Sequence, residues 1–497
     1  MNSRYFTGAL LLIGVVKLLV AIYLPLGNDE VYYLLYARYP DYHYYDHPLL
    51  VGWLLKVFSL NFLVESALIY RLFALVLSAL APLFLYRAVL LLSNKLSAQI
   101  AVLLYVSSIY FSIIAGSFVM PDAPFHFFWA VSLYYAVRAF FAKLNTTGVS
   151  QLDYMFCCFF LGMTCLSKFH GVFLVAGIFL FILFYRTSFL KSILFYEGVL
   201  LLSLFVIPVV IWNYQHDWVQ FGFYLNRVEG KLTFNLIGPL RELLGEIGYL
   251  NPVVFVFICY FAFFKFKRIG KVNKKAFLLL TSLPFIFFVL GLSTFKETLP
   301  HWSGASYTSL IILASIVAGE KGSKLYNQIW LNISFSILAI AFILGLYLVN
   351  YFPGTIGKSD NEQRYGSGDF TLDMYGWEAS SQSIRDTLQQ RGLSQLPVVS
   401  DNWFPAGHID NYICRPGNIP FYCIGNIEQI HQYQWVNQQR GDWSKHDSVV
   451  TIVPSNYFRE PKVYLSKFYS KIDLITSVEE FRSSKKTRNY FIYLLRK

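Results

Sequence analysis

The chain has 497 residues, 56% of them hydrophobic and only 14% charged, with a mean hydropathy of +0.47. An ordinary soluble domain carries about a quarter charged residues, so a water-soluble globule is excluded and a polytopic membrane protein is indicated. The net charge of +12 fits basic loops that face anionic lipid; no basic stretch carries a nucleic-acid motif, and no nucleic-acid partner is expected.

The first apolar run, Tyr5 to Leu26, is too long for a signal-peptide core and no small-residue cleavage site follows it. It is expected to be a retained anchor helix. "NDEVYYLLYARYPDYHYYDHP" (28–48) comes next. Residues 28–60 read as amphipathic helices on the outer membrane surface, with tyrosines suited to the interface. Asp29 and Glu30 have two readings: helix-start carboxylates favoured by free N–H groups and the dipole, or carboxylates of tunable pKa that take a proton from an acceptor hydroxyl. Asp46 and His47 read either as an interfacial turn before Pro48 or as contacts to a phosphate or a divalent cation, although no tight spacing such as H-E-x-x-H occurs.

Further apolar segments are expected near 67–92, 98–116, 123–142, 154–167, 170–186, 192–212, 251–265, 276–293, 302–319 and 328–350. With the first, this gives about eleven helices, of which the short fifth and sixth could be one span or a re-entrant pair. "MPDAPFHFFW" (120–129) places Asp122 at an outward helix start, as an N-cap, a catalytic carboxylate or both. "LSKFHG" (166–171) sets Lys168 between two apolar segments, where a lysine snorkels or holds a lipid phosphate. "IWNYQHDWVQF" (211–221) brings His216 and Asp217 to a helix exit, and "FKETLPHWSG" (295–304) brings Lys296 and His301 to another. Each is an interface residue or a substrate- or phosphate-binding one. Asp46 and His216 are the candidate ligands if a divalent cation is used.

Orientation follows from the loops. "KFKRIGKVNKK" (265–275) has six basic residues and no acidic one, so it should be cytoplasmic. Counting outward adds the loops at 93–97, from Lys143, around Arg186 and Lys191, and at 320–324. The N-terminus is then inside and the C-terminus outside. The opposite face collects loops 27–66, 117–122, 168–169, 213–250 and 294–301, which hold most of the Asp, Glu and His near apolar segments. A topology drawn from Lys and Arg thus also sorts the acids and imidazoles onto one side, away from cytosolic nucleotides.

The expected domains are 1–350 in the membrane and 351–497 as a small α/β domain on the outer face. In the latter, "LPVVSD" (396–401), "SVVTIVP" (448–454) and "NYFIYLL" (489–495) read as strands and 376–392 as an amphipathic helix. Cys157, Cys158, Cys165 and Cys259 fall in apolar segments as packing residues. Cys414 and Cys423 could pair if the domain is extracytoplasmic.

The motifs at 28–54, 121–130, 166–172 and 211–221, with "PHWSGASY" (300–307), resemble in order the bacterial protein O-mannosyltransferase-like glycosyltransferases of the GT-C superfamily, relatives of the lipid A aminoarabinose and galacturonic acid transferases. The resemblance covers roughly residues 1–350. It implies transfer of a sugar from a polyprenyl-phosphate donor to an envelope lipid, glycan or protein at the outer side of the plasma (inner) membrane, with no nucleotide. Asp29 and Glu30 match the family's acidic pair, Asp122 its second-loop acid, and Asp46–His47 its acid-plus-basic pair. Leu49 stands where relatives often carry a second proline. The resemblance makes Asp29 the base for the acceptor hydroxyl; His47, Lys168 and Lys296 are the candidates to stabilise the departing phosphate.

A lipid-linked saccharide transporter or flippase is the alternative. It should place charges at the bilayer midplane in paired broken helices, and few such charges are seen.

Overall fold

A bilayer core of about 30 Å needs helices of roughly 20 apolar residues. In the computed structural model, which describes residues 3–142, 149–223, 234–264, 272–321 and 324–497, five helices meet that requirement: Ser3–Tyr23, Ala67–Leu92, Ile193–Gln215, Asn273–Ser293 and Gln328–Asn350. Two bent pairs, Lys95–Val106 with Tyr110–Ser117 and Ile237–Leu250 with Pro252–Phe263, raise the number to seven if each is one span. Gln151–Ser167, Gly171–Tyr185 and Gly304–Glu320 are shorter apolar helices. Many apolar side chains point outward, among them Leu11, Leu12, Val15, Ile193 and Leu200; in lipid such exposure costs nothing, since the hydrocarbon is as apolar as the side chain. The basic loops at 143–148 and 265–271 lie outside the described residues.

Both bends have identifiable causes. The first pair turns through 73°, at a break followed by a π-helical turn, Tyr110–Ile114, a distortion that re-aims side chains. The second turns through 104° at Asn251, which has φ +87° and precedes Pro252, a residue without an amide hydrogen to give back. Asn251 Nδ2 donates to the carbonyls of Ser107 at 3.0 Å and Ser334 at 2.9 Å, so one side chain satisfies carbonyls at the first break and in the last long helix.

The chain divides into two compact units. The first comprises residues 1–21, 41–43 and 47–342, and holds a large buried cluster running from Ile13 to Leu338. The second comprises residues 22–40, 44–46 and 343–497. It therefore draws in helix Asn28–Arg38, which packs on the short helix Trp403–His408. Gly407 permits the approach: a Cβ there would meet Val31 Cγ2 at 3.1 Å.

The second unit contains a five-stranded sheet, ordered β2-β1-β3-β5-β4, of β1 (Val398–Ser400), β2 (Phe421–Cys423), β3 (Ser448–Pro454), β4 (Lys471–Arg482) and β5 (Lys485–Arg496). β1 is parallel to β2 and β3, and β5 is antiparallel to β3 and β4. Three strands fall where the alternation predicts them, and helix Trp377–Gln390 matches the expected 376–392. The sequence reading missed β2, which has three residues, and β4, whose charges blur the pattern. β4 is an edge strand, where charge guards against further pairing. Its hairpin to β5 turns at Ser483 and Ser484, both at positive φ, the two-residue turn that matches strand twist. Cys414 and Cys423 are buried and unbonded.

Candidate functional site

In the first unit, the polar groups converge on Asp122. It opens helix Asp122–Phe141 and is 1% exposed. Lys168, the residue that ends helix Gln151–Ser167, places Nζ 3.0 Å from each carboxylate oxygen. Tyr110, turned by the π-helical segment, donates its hydroxyl to Oδ1 at 2.5 Å. Burial would push the Asp122 carboxyl up, but Lys168, with His301 and Tyr110, holds it below the usual carboxylate range.

Imidazoles surround this pair. The His126 ring stands edge-on to those of Tyr110 and Phe111, at 4.6 Å each; its two buried nitrogens make no hydrogen bond among the described residues. The His301 ring lies 6.4 Å from that of Tyr110. Burial and Lys168 push His301 down to about 4, with His47 adding and Asp122 opposing, so at neutral pH it is an uncharged imidazole. His170 packs against Phe285 and Trp302. Gly304 sits under the Tyr110 ring, where a Cβ would lie 2.0 Å from Cε1; no larger residue fits without moving the tyrosine.

The structure thus brings Asp122, Lys168, His301 and His47 into one electrostatic neighbourhood. His216 and Asp217 are used differently. His216 stacks on Trp212 at 4.1 Å and its Nδ1 pairs with the Trp212 carbonyl at 2.7 Å. Asp217 is exposed at φ +52°. The same motif fastens the loop at 41–43: Gln220 Oε1 meets His43 Nε2 at 2.8 Å and accepts from Asn213 Nδ2 at 3.0 Å, while Trp212 Nε1 donates to Asp41 at 3.3 Å. Lys296 is half-buried and makes no ion pair or side-chain hydrogen bond among the described residues.

The second unit holds Asp29, Glu30 and Asp46. Glu30 is 2% exposed and its Oε2 accepts from the Gly27 amide at 3.0 Å, the N3-to-N-cap half of a capping box. Asp29, in the same first turn, is exposed. Neighbouring Asn28 fixes the start of the helix: its Oδ1 is 2.9 Å from His408 Nε2, and its side chain also bonds Asp373 and Tyr457. Asp46 Oδ1 accepts from Tyr32 at 2.8 Å and Tyr36 at 2.7 Å, and its Oδ2 lies 3.3 Å from His431 Nδ1. Burial and then Asp46 raise both phenols well above their ordinary range, so they remain donors. The Gln432 amide donates to Tyr32 Oη at 3.1 Å, and Gln432 Oε1 accepts from the Tyr45 amide at 2.9 Å. A tail segment and a loop about 385 positions earlier in sequence share one network.

Among the described residues no group of three or more His, Cys, Asp or Glu is placed to hold a metal ion. Asp46 already accepts from two phenols, and His216 Nδ1 is taken by a carbonyl.

Sequence reasoning passed over Tyr110, His126, Tyr32, Tyr36 and His431. His126 lies four positions after Asp122 on one helix face, a usable signal. His431 and Gln432 had none, because only the tertiary fold brings them to Asp46. Glu242 and Glu246 were read as loop but lie on helix Ile237–Leu250, buried against hydroxyls: Thr298 donates to Glu242 at 2.6 Å, and Ser303 and Tyr307 donate to Glu246.

Residues 46–212 match the family described as dolichyl-phosphate-mannose-protein mannosyltransferase. No curated protein matches the chain by sequence. Among solved structures, ArnT from Cupriavidus metallidurans bound to undecaprenyl phosphate superposes with a TM-score of 0.64 at 12% identity, covering 99% of this chain and 98% of that one. The apo state of that ArnT gives 0.63 at 13% identity, covering 98% of each chain. The Archaeoglobus fulgidus oligosaccharyltransferase tethered to an acceptor peptide gives 0.51 at 13%, over 86% of this chain and 65% of that one. The chain is therefore an integral membrane protein with the fold of ArnT, and its residues 46–212 match the family model described as dolichyl-phosphate-mannose-protein mannosyltransferase.

Proposed function

We propose that the chain is a membrane glycosyltransferase that moves a sugar from a polyprenyl-phosphate donor to a lipid, glycan or protein acceptor on the extracytoplasmic side of the plasma (inner) membrane, with inversion. The observation that carries this reading is the buried Asp122–Lys168 pair beside a neutral His301, inside a fold whose relative ArnT was solved with undecaprenyl phosphate bound. In the reaction, the bond from the sugar carbon to the phosphate oxygen breaks and its electron pair leaves with polyprenyl phosphate. The acceptor oxygen forms the new bond from the opposite face and gives up its proton.

Roles follow from environment. A carboxylate held ionised by an ammonium at 3.0 Å is a weak proton acceptor, so Asp122 suits positioning: it fixes Lys168, whose third N–H is available to a phosphate oxygen. Asp29, exposed in the first turn of its helix, suits the base. Glu30 supports that turn by capping it. His47, His301 and Lys296 are the further candidates for the departing phosphate. Asp46 holds the loop before His47 through Tyr32, Tyr36 and His431.

The test is sugar transfer by the purified chain in proteoliposomes given a defined polyprenyl-phosphate sugar and envelope lipid extract, followed by mass spectrometry of the products. No mass increment in any acceptor class, with donor intact, would overturn the proposal. Movement of intact donor across the bilayer without cleavage would favour the flippase.

A further inference from the structure

In the second unit β1 leads to β2, its neighbour on one side, whereas β3, its neighbour on the other side, leads away to β4 at the far edge, so adjacent parallel strands β1 and β3 send their following segments in opposite directions. Such a reversal leaves a crevice outside the carboxyl ends of the two strands, the place where open α/β sheets bind ligands. Here that crevice is present, with a volume of about 280 Å³, near the low end of the range of about 300–1,000 Å³ for small-molecule sites. Its walls come from the segments after β1 (Asp401, Asn402, Phe404) and after β3 (Asn456, Tyr457, Arg459), with Arg364 at its rim.

Asn456 and Arg364 stand out among the polar groups there. Asn456 is 7% exposed, yet its side chain makes no hydrogen bond among the described residues, and its Oδ1 is buried without one. An unpartnered buried carboxamide costs stability that a ligand hydroxyl recovers. Arg364 is exposed and its guanidinium makes no ion pair or hydrogen bond among the described residues. Three neighbouring groups are committed: Arg459 pairs with Asp401 at 2.5 Å, and Ser455 Oγ bonds the Tyr365 carbonyl at 2.6 Å and the Asn489 amide at 2.8 Å. Phe404 and Tyr457 meet edge to face at 4.7 Å and supply an aromatic wall.

We propose that the crevice between the ends of β1 and β3 binds a hydroxyl-rich anion, an acidic or phosphorylated saccharide, at a site separate from the Asp122–Lys168 pair. The carboxamide of Asn456 both donates and accepts, as a sugar hydroxyl requires. Asp401 keeps acceptor capacity beyond its arginine, the aromatic wall suits the apolar face of a sugar ring, and Arg364 offers a planar fork to a phosphate or carboxylate.

The experiment is calorimetry of the full-length protein in detergent with glucose 1-phosphate as the probe, and with methyl glucoside and inorganic phosphate as half-probes. Saturable binding of glucose 1-phosphate, tighter than either half-probe, is expected. Arg364→Ala changes an exposed side chain and should weaken it at least about tenfold, the scale of a lost charge-assisted hydrogen bond; Asn456→Leu should weaken it as well. Asp29→Asn, which keeps the fold, should leave it unchanged, which separates this site from transfer. No saturable binding, equal affinity in Arg364→Ala and wild type, or binding lost in Asp29→Asn but kept in Arg364→Ala would each overturn the proposal. Nanodiscs with phosphatidylinositol distinguish the source: displacement of the probe by them indicates a lipid headgroup, and its absence beside probe binding indicates a soluble saccharide.

Discussion

Lys168 and Asp122 form a two-point ion pair, with one ammonium 3.0 Å from both carboxylate oxygens and both side chains almost wholly buried. Removing one member of such a pair strands the other charge, at a cost of about 3–5 kcal/mol. Lys168→Met should therefore lower the melting temperature in detergent sharply, whereas Lys168→Met combined with Asp122→Leu should recover much of the loss. A double variant no more stable than Lys168→Met would show the two charges to be uncoupled. Transfer should be lost in both.

The neighbouring acids of the first loop are separable by a conservative exchange. Glu30→Gln keeps an acceptor for the Gly27 amide and should retain both stability and transfer, whereas Glu30→Ala should cost about 1 kcal/mol, the scale of a lost cap. Asp29→Asn should leave the melting temperature unchanged and slow transfer at least about 10²-fold, the scale of a lost general base. Near-normal turnover by Asp29→Asn would remove Asp29 from proton transfer.

Acid should loosen the first unit through His301. Its imidazole is depressed to about 4 by burial, with Lys168 adding, while an unfolded histidine titrates near about 6.5. Below about 6.5 the unfolded state takes up the proton first, so the stability contributed by the neutral ring is full above that pH and is lost as pH falls toward about 4. Melting curves between about pH 7 and pH 4 should show that decline, and His301→Gln should make it shallower. An unchanged slope in the variant would assign the acid sensitivity elsewhere.

Gly304→Ala tests how Tyr110 is aimed. The added methyl would fall 2.0 Å from the ring, so the tyrosine must shift and its bond to Asp122 must break. Transfer should drop by at least as much as in Tyr110→Phe, with a further loss of thermal stability from the forced packing. Wild-type behaviour in Gly304→Ala would show that the loop at 300–306 gives way instead.

The apolar runs, the outward acids and three of five strands were legible because hydropathy and period-two alternation are local. Asp122 and Lys168 were each visible as costly residues near lipid, but their partnership was not: 46 positions separate them. Tyr110 was hidden for another reason. Nothing in "YFSII" announces a π-turn, and without that turn a tyrosine in an apolar run reads as packing. The double character of Glu30 was read as an ambiguity between cap and base, and the capping bond is formed. Helix Ile237–Leu250 was taken for loop because its two glutamates and three glycines dilute its hydropathy; its glutamates accept from buried hydroxyls that lie 56 to 61 positions later in the chain.

Helix Asn28–Arg38 rests on Trp403–His408 with only a glycine's clearance between them. A tail fragment cut at residue 351 would consequently leave behind the surface that covers Trp403, His408 and His431, and would present bare aromatic rings to water. Grafting experiments that exchange tails among relatives would need to transplant residues 22–40 and 44–46 as well, so the natural recombination joint in this architecture is a pair of early loop crossings as much as the late one.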